Sequence, residues 1–216
     1  MNLPTQPTEL ITLLVVLSLL PLLVVTGTSF LKLSVVFALL RNALGIQQTP
    51  PNIALYGLAL ILSLFIMAPV ITGVQEKLAA PASEGTQESL LERLSDGALE
   101  PYRQFLLAHA SPAQLRFFRD TARKEWPAAI REKVSDDSLL LLMPAFAVSQ
   151  LTEAFKTGLL LFLPFIAIDL IVSNVLLAMG MMMVSPMTIS MPFKLLVFVL
   201  VGGWDRLLEQ LLLSYR

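Results

Sequence analysis

Three kinds of side chain in this sequence could carry chemistry: one histidine, a few polar residues inside apolar runs, and a methionine cluster. His109 is the only histidine among 216 residues, and there is no cysteine. Zinc and non-haem iron sites need several convergent ligands, which a lone histidine does not supply. The motifs GxxxxGK[ST], GxSxG and HExxH are also missing from the sequence. We therefore expect no catalytic residue, no metal and no cofactor.

Two polar residues lie inside one apolar string, AIDLIVSN, at Asp169 and Asn174. Five residues turn a helix by about 500°, which leaves these side chains roughly 140° apart. Polar residues in such helices commonly form hydrogen bonds between helices. They can also line a path for ions or protons. The first interpretation is favoured, and a small-molecule or ion transporter that uses Asp169 and Asn174 stays open as the alternative function.

The methionines are concentrated in MGMMMVSPMTISM, residues 179–191, which holds six of the nine in the chain. They are Met179, Met181, Met182, Met183, Met187 and Met191. Methionine is unbranched and adapts to irregular surfaces, so it suits core filling as well as a binding surface. Gly180 permits a tight turn, and Pro186 helps to end that turn. Composition alone favours core filling.

The elements that carry these residues are strongly apolar. Apolar residues make up 56% of the chain, charged residues 14%, and the mean hydropathy is +0.74. Globular domains usually have about 25% charged residues, so the composition predicts a membrane protein. A net charge of −1 gives no indication of nucleic-acid binding. Residues 75–138 hold 20 of the 31 charged side chains, so one polar region separates two apolar halves.

The first half, residues 1–74, is predicted to be an apolar helical hairpin. Leu10–Leu31 and Ile53–Val74 are each 22 residues long without a charge. A spanning helix needs about 20 apolar residues, so both are long enough. The segment 41–52 between them contains Gly45 and two prolines, which predicts a loop.

The basic residues suggest how this hairpin is oriented. Arg41 lies in the short loop and Lys32 lies near it, whereas the N-terminal flank carries only Glu9. Basic residues favour the cytoplasmic side of a membrane. The loop is therefore expected in the cytoplasm, and the polar region 75–138 in the periplasm.

The polar region 75–138 is predicted to be a small helical domain. Ser111-Pro112-Ala113-Gln114 has the form of a capping box with proline at the first helical position. A helix should run from there to about Trp126. Upstream, residues 86–109 show helical spacing, with Gly97 as the expected break.

The second half, residues 139–216, is predicted to be an apolar hairpin with a methionine-rich loop. Its uncharged runs are short, because five charges interrupt them: Glu153, Lys156, Asp169, Lys194 and Asp205. A charge at the centre of a membrane helix costs at least ~2.5 kcal/mol. Prolines interrupt the same half at positions 144, 164, 186 and 192. We expect broken helices here that pack against protein or line an aqueous path.

Three strings in the apolar halves are distinctive: LLRNALGIQQTPPN at 39–52, FIMAPV at 65–70 and LLFLPFIAIDLIVSNVLLAMGMMMVSPMTISMPFKLLVFVLVGGW at 160–204. Together they resemble the export-gate family of type III secretion systems, the FliP/SctR family. Flagellar members usually carry an extra N-terminal signal segment. The first apolar run here begins at Leu10 without a basic flank, which favours the injectisome, or SctR, type.

The resemblance implies an all-α fold that assembles with other subunits into a cone-shaped pore complex. Five copies would join two other export-gate membrane subunits, SctS/FliQ-like and SctT/FliR-like, and meet a larger switch subunit. The complex would sit in the bacterial inner membrane and pass unfolded secreted proteins. The family's methionine loop, here Met179 and Met181 to Met183, would narrow the pore. A purely structural scaffold is a third possibility.

The chain departs from the family pattern at two positions. The family commonly has an acidic residue where this chain has Gln150, and that acid can pair with the lysine of the PFK string, here Lys194. Glu153 lies three residues on, so we predict an ion pair between Glu153 and Lys194 of neighbouring subunits. Relatives often have Asp where this chain has Gly202, so no role of that Asp can be transferred.

Overall fold

A computed structural model describes residues 7–46, 49–79, 97–131 and 134–216. In these ranges the chain forms helices and no strand, which confirms the all-α class. The helices are α1 (Pro7–Gly27), α2 (Phe30–Ala43), α3 (Asn52–Ala79), α4 (Glu100–His109), α5 (Pro112–Glu125), α6 (Ala128–Arg131), α7 (Leu139–Ala178), α8 (Pro186–Leu200) and α9 (Gly203–Leu213).

The first apolar run is not one straight helix, so the expectation of a continuous span over Leu10–Leu31 is wrong. Helix α1 ends at Gly27 and α2 begins at Phe30. The last part of α1, Pro21–Gly27, is bent by 73° relative to α2. The Thr28 hydroxyl donates to the Val24 carbonyl at 2.6 Å, which supplies a local alternative to helix bonding. The next break agrees with the sequence: α2 ends at Ala43 and Gly45 has a φ of +77°.

Helix α3 carries the second apolar run as one element. It extends five residues beyond the predicted Ile53–Val74 run, to Ala79. Helices α3 and α7 are each long and apolar enough to cross a membrane, with a mean hydropathy of 2.4 in their best windows. The bent pairs α1–α2 and α8–α9 could raise the number of spans to four.

Helix α7 corrects the expectation that charges and prolines divide the second half into short pieces. It runs unbroken for 40 residues and includes Pro144 and Pro164. Two effects make its charges tolerable. Glu153 and Lys156 pair on an exposed face at 2.8 Å, and Asp169 pairs with Lys194 of α8. Pro186 behaves as predicted, because it occupies the first turn of α8.

The helices of the polar region agree with the sequence in extent but not in capping. Helix α5 ends one residue before Trp126, and Gly97 has a φ of +90° ahead of α4. The predicted capping box is absent, because the Ser111 side chain makes no capping bond. The backbone N–H of Ser111 instead donates to the Ser149 hydroxyl of α7 at 2.8 Å. Residues 86–96 of the predicted upstream helix lie outside the described residues.

Two apolar cores hold the helices together. The larger core surrounds α2, whose Leu33, Val36 and Phe37 are fully buried against side chains of α3, α7, α8 and α9. The smaller core joins the polar region to the rest of the chain. In it Leu106 of α4 and Phe146 of α7 are fully buried and lie beside α3. Both α2 and α4 are therefore fixed against α7, the element that leads to the methionine loop.

Candidate functional site

The methionine loop, residues 179–185, begins where glycine ends helix α7. Gly180 has a φ of +73°, a backbone conformation that glycine adopts without steric cost. The Met181 N–H donates to the Leu176 carbonyl at 2.9 Å, and the Gly180 N–H donates to the Leu177 carbonyl at 3.0 Å. These two bonds form a Schellman motif, which satisfies carbonyls left free at a helix end. The loop backbone is thus set by its own hydrogen bonds.

The far end of the loop is fixed by the start of α8. Ser185 is the residue before the helix, and Pro186 occupies its first turn. The Thr188 N–H donates to the Ser185 carbonyl at 3.2 Å. The proline cannot continue a preceding helix, so the chain turns before it enters α8. The sequence prediction of a turn at Gly180 and Pro186 is consistent with this geometry.

The loop presents its methionine side chains to the outside of the chain. Met183 is fully exposed, and Met182 is 82% exposed. Met179 is also exposed, at 64%. Core filling, the interpretation that composition favoured, does not describe these residues within one chain. An unbranched apolar side chain that is exposed on this loop is available for contact with another molecule.

Met179 and Met181 line an apolar groove where the loop meets its two helices. The groove has a volume of about 480 Å³. Its other lining residues come from α7 and α8: Ile168, Ile171, Val172, Val175, Leu176, Ile189 and Phe193. The four predicted pore methionines therefore divide into two pairs. Met179 and Met181 border the groove, whereas Met182 and Met183 project from the tip of the loop.

A polar cluster lies between α7 and α8 below the loop. The Lys194 ammonium donates to an Asp169 carboxylate oxygen at 2.6 Å and to the Ala43 carbonyl of α2 at 3.1 Å. The other Asp169 oxygen accepts from the Ser190 hydroxyl at 2.6 Å. The Lys194 side chain is only 3% exposed, and that of Asp169 is 35% exposed. The cluster joins both stems of the methionine loop to α2.

Two predicted polar residues, Asn174 and Glu153, lie outside this cluster. Asp169 is bonded to Lys194 and Ser190 within it, whereas Asn174, five residues further along α7, is exposed. Within one chain Lys194 is bound to Asp169, and Glu153 is bound to Lys156 on the surface of α7. The Glu153 side chain is half-exposed, so it is accessible from outside the chain.

Sequence reasoning missed the role of Gln150. This side chain is 3% exposed; its amide nitrogen donates to the His109 carbonyl at 2.9 Å, and its oxygen accepts from the Tyr215 hydroxyl. A glutamine in an apolar helix was the available signal, because a buried amide requires partners. The partners themselves could not be read from the sequence, since they lie 41 and 65 residues away.

A metal site is not formed by the described ranges. In residues 7–46, 49–79, 97–131 and 134–216, no group of three or more His, Cys, Asp or Glu side chains could hold an ion. Asp169 already accepts from an ammonium and a hydroxyl. Its position therefore suits the joining of helices better than ion transport.

Comparison with known proteins matches these apolar helices to one family. The FliP family model matches residues 13–211. The chain is 58% identical over 215 residues to "Virulence protein YscR" of Salmonella typhimurium, and the match covers 100% of both proteins. It is 55% identical over 207 residues to "Yop proteins translocation protein R" of Yersinia pestis, covering 96% and 95%. "Harpin secretion protein HrcR" of Erwinia amylovora is 45% identical over 199 residues, covering 92% of each protein.

Proposed function

The chain belongs to the FliP family, in its injectisome type, and we propose that it is a membrane-embedded component of a type III secretion export apparatus. The resemblance found in the three apolar strings is confirmed by full-length matches. Members of this family are structural parts of a secretion apparatus and not enzymes. The names of the relatives, which refer to virulence, translocation and harpin secretion, support this role.

The finer proposal is that methionine loops from several copies form the narrowest part of a protein-conducting pore. The observation that carries it is the exposure of Met182 and Met183 on a loop whose backbone forms hydrogen bonds within the loop and to the adjoining helix ends. An export pore must pass side chains of every size and still hold back ions. A ring of flexible apolar side chains can repack around a substrate. When empty, the same ring can exclude water by dewetting.

We propose that five copies assemble with SctS/FliQ-like and SctT/FliR-like subunits and face a larger switch subunit. The surface of the chain supports an assembly. Helix α7 exposes a row of large apolar side chains away from the two cores: Phe155, Leu159, Leu160, Leu163, Ile166 and Leu170. Lipid or neighbouring subunits must cover this surface, because a patch of this size is rare on a soluble monomer.

The location follows from the same proposal. The apolar helices place the chain in a membrane, which for this family we propose to be the bacterial inner membrane. The region around α4, α5 and α6 would lie in the periplasm. The loop that contains Arg41 would face the cytoplasm, in line with the preference of basic residues for that side.

Pairing of Glu153 with Lys194 of a neighbouring subunit remains a proposal about the assembly. Glu153 is half-exposed, so a neighbour can reach it, but Lys194 is buried and bound to Asp169. The stability of the detergent-extracted oligomer distinguishes the roles of Glu153 and Asp169. If the pair between subunits forms, Glu153→Gln lowers the temperature at which the oligomer dissociates. If only the bond within the chain matters, Asp169→Asn has this effect and Glu153→Gln leaves the oligomer as stable as the wild type.

The pore proposal is tested by ion leak in cells that assemble the apparatus. The variant replaces Met181, Met182 and Met183 together by alanine. Two quantities are measured: the conductance of the membrane to small ions and the amount of substrate secreted. We expect leak to rise several-fold, because alanine removes most of the flexible side chain from the constriction. Phe117 and Ile130 replaced together by alanine form the control, because they are exposed apolar residues of the polar region, outside both the methionine loop and the exposed row of α7.

Two results would contradict the proposal. One is unchanged leak and unchanged secretion in the methionine variant, provided that the assembled complex is present at the wild-type level. The other is a complex whose mass in mild detergent corresponds to a monomer or dimer, which is the size expected of a small transporter. A large complex whose leak does not respond to the methionine substitutions would indicate a structural scaffold.

A further inference from the structure

The tail, residues 214–216, follows α9 and packs against helices that are remote in sequence. Helix α9 ends at Leu213. The Lys32 ammonium of α2 donates to the Ser214 hydroxyl at 3.0 Å. The same ammonium lies 5.1 Å from the centre of the Tyr215 ring, within the range of a cation–π contact. The tail is thus bound to a helix 182 residues away.

Tyr215 also joins α7 to α4. Its hydroxyl donates to the side-chain oxygen of Gln150 on α7. Its ring is stacked on Phe105 of α4, with an interplanar angle of 11° and 6.2 Å between centroids. The His109 ring meets the Tyr215 ring edge-on at 5.1 Å and the Phe105 ring at 4.7 Å. One side chain therefore contacts elements from both apolar halves and the polar region.

We propose that the tail is a latch that holds the polar helix α4 against α2 and α7, and that protonation of His109 loosens it. This inference does not rest on the proposed pore. It rests on the position of Tyr215 among Lys32, Gln150, Phe105 and His109, a cluster that no step of the secretion proposal uses.

The charges around His109 explain why a proton would loosen the latch. Burial lowers the pKa of His109 below its ordinary 6.5, and the nearby positive charge of Lys32 lowers it further. Glu153 of α7 interacts electrostatically with Lys32 and offsets part of that charge. Burial raises the pKa of Tyr215, so its hydroxyl remains a donor at neutral pH. Arg216, the residue after Tyr215, is exposed.

The direction of the pH effect follows from the lowered pKa. The docked tail favours neutral His109, and the released tail lets His109 take up a proton near its ordinary pKa. Docking is therefore at full strength above pH 6.5 and weakens as the pH falls below that value. The docking equilibrium constant changes by at most tenfold for each pH unit.

The latch can be observed by a distance measurement between two spin labels in the full-length protein in mild detergent. The chain has no cysteine, so Ala108→Cys on α4 and Arg216→Cys on the tail accept labels at chosen positions only. Both positions are exposed. Mixing with an excess of unlabelled chains keeps the measured distances within one chain. The measurement is made at pH 8 and pH 5.5, in the wild-type background and with Tyr215→Phe, Tyr215→Ala or His109→Gln.

We expect a narrow distance distribution at pH 8 and a broad one at either pH with Tyr215→Ala. Phe117→Ala removes an exposed aromatic ring elsewhere in the polar region and should keep the narrow distribution. At pH 5.5 the docked fraction should fall. The fall should be largest with Tyr215→Phe, because that variant lacks the hydroxyl bond to Gln150 and starts closer to release.

Several outcomes would overturn the proposal. A narrow distribution with Tyr215→Ala would show that this residue does not hold the tail. Unchanged docking at pH 5.5 in both the wild-type and the Tyr215→Phe backgrounds would rule out loosening by acid. An equal loss of docking at pH 5.5 with His109→Gln would assign the titration to a group other than His109.

Discussion

The bend between α1 and α2 and the methionine loop between α7 and α8 both interrupt apolar segments. They differ in which residues supply the hydrogen-bond partners of their polar groups. At the bend, neighbouring helices supply the partners. The Ser63 hydroxyl of α3 donates to Thr28 at 3.1 Å and accepts from Ser29 at 3.0 Å. The Tyr102 hydroxyl of α4 donates to the Gly27 carbonyl at 2.9 Å.

At the methionine loop, the backbone bonds lie within the loop and its own helices, and the side chains extend outward. The bend is therefore a junction between elements, and its residues should matter for stability. The loop holds its conformation by its own backbone hydrogen bonds and exposes its side chains. Substitutions at its tip should therefore affect function and change stability little. The polar cluster below the loop belongs with the bend in this respect, because it ties α7 and α8 to α2.

The largest loss of stability is expected where a buried charge loses its partner. Asp169→Ala leaves the Lys194 ammonium buried beside the Ala43 carbonyl without a counter-charge, which should cost about 3 kcal/mol. Thermal unfolding of the purified chain in detergent measures the effect. Asp136→Ala is the control, because its pair with Arg123 is exposed and should contribute under about 1 kcal/mol. Equal losses in both variants would show that the cluster does not hold the loop stems.

The bend itself is tested by adding one methyl group. A Cβ at Gly27 would overlap the Tyr102 hydroxyl, so Gly27→Ala should cost about 2 kcal/mol by forcing α4 away from the bend. Gly57→Ala on α3 is the matched control, because a Cβ there meets no atom within 4 Å. Alanine in that helix should be neutral or slightly stabilising. The junction account is wrong if the two variants unfold at the same temperature.

Removing only the hydroxyl of Tyr102 should have a smaller effect. Tyr102→Phe loses the bond to the Gly27 carbonyl and should cost about 1.5 kcal/mol at pH 8. Burial raises the pKa of Tyr102 from 10.0 to about 12. A raised pKa means that the stabilisation is fully present below pH 10.0 and is lost as the pH rises through 12.

The wild type and the phenylalanine variant should therefore converge in unfolding temperature as the pH is raised from 10 to 12. Tyr56→Phe serves as the comparison, because that ring is 48% exposed at the surface of α3. A constant difference between wild type and Tyr102→Phe across this pH range would contradict the role of the Tyr102 hydroxyl at the bend.

The smallest effect on stability is expected at the tip of the methionine loop. Met182→Ala and Met183→Ala remove side chains that are 82% and 101% exposed, so the unfolding free energy should change by less than about 0.5 kcal/mol. The same thermal measurement, made on the purified chain, checks this. A loss near that of Gly27→Ala would show that these side chains are packed in the chain and are not free for another role.

Local backbone chemistry explains which parts of the fold the sequence predicted. The breaks at Gly45, Gly97 and Gly180 were predictable because glycine accepts positive φ, and all three have it. The start of α8 was predictable because proline favours the first turn of a helix. These features depend on a few neighbouring residues, which the sequence displays directly.

Pairing between distant residues explains what the sequence did not predict. The charges in α7 suggested breaks, yet Asp169 is matched by Lys194, whose ammonium also meets a carbonyl 151 residues away. The position of Tyr215 likewise depends on residues from three elements. The sequence shows the methionines as one cluster, but only the fold shows that Met179 and Met181 border the groove while Met182 and Met183 lie at the loop tip. Polar residues in apolar runs mark such sites without identifying their partners.

The central claim is that the tips of the methionine loops from different copies meet at one constriction. The most direct test is Met183→Cys in the assembled apparatus, because the chain has no other cysteine and Met183 is fully exposed. Mild oxidation should link the Met183→Cys chains into disulfide dimers and stop secretion, and a reductant should restore secretion. Phe117→Cys, at another exposed position, is the control. Absence of dimers in a fully assembled complex, with secretion unaffected by oxidation, would contradict the claim.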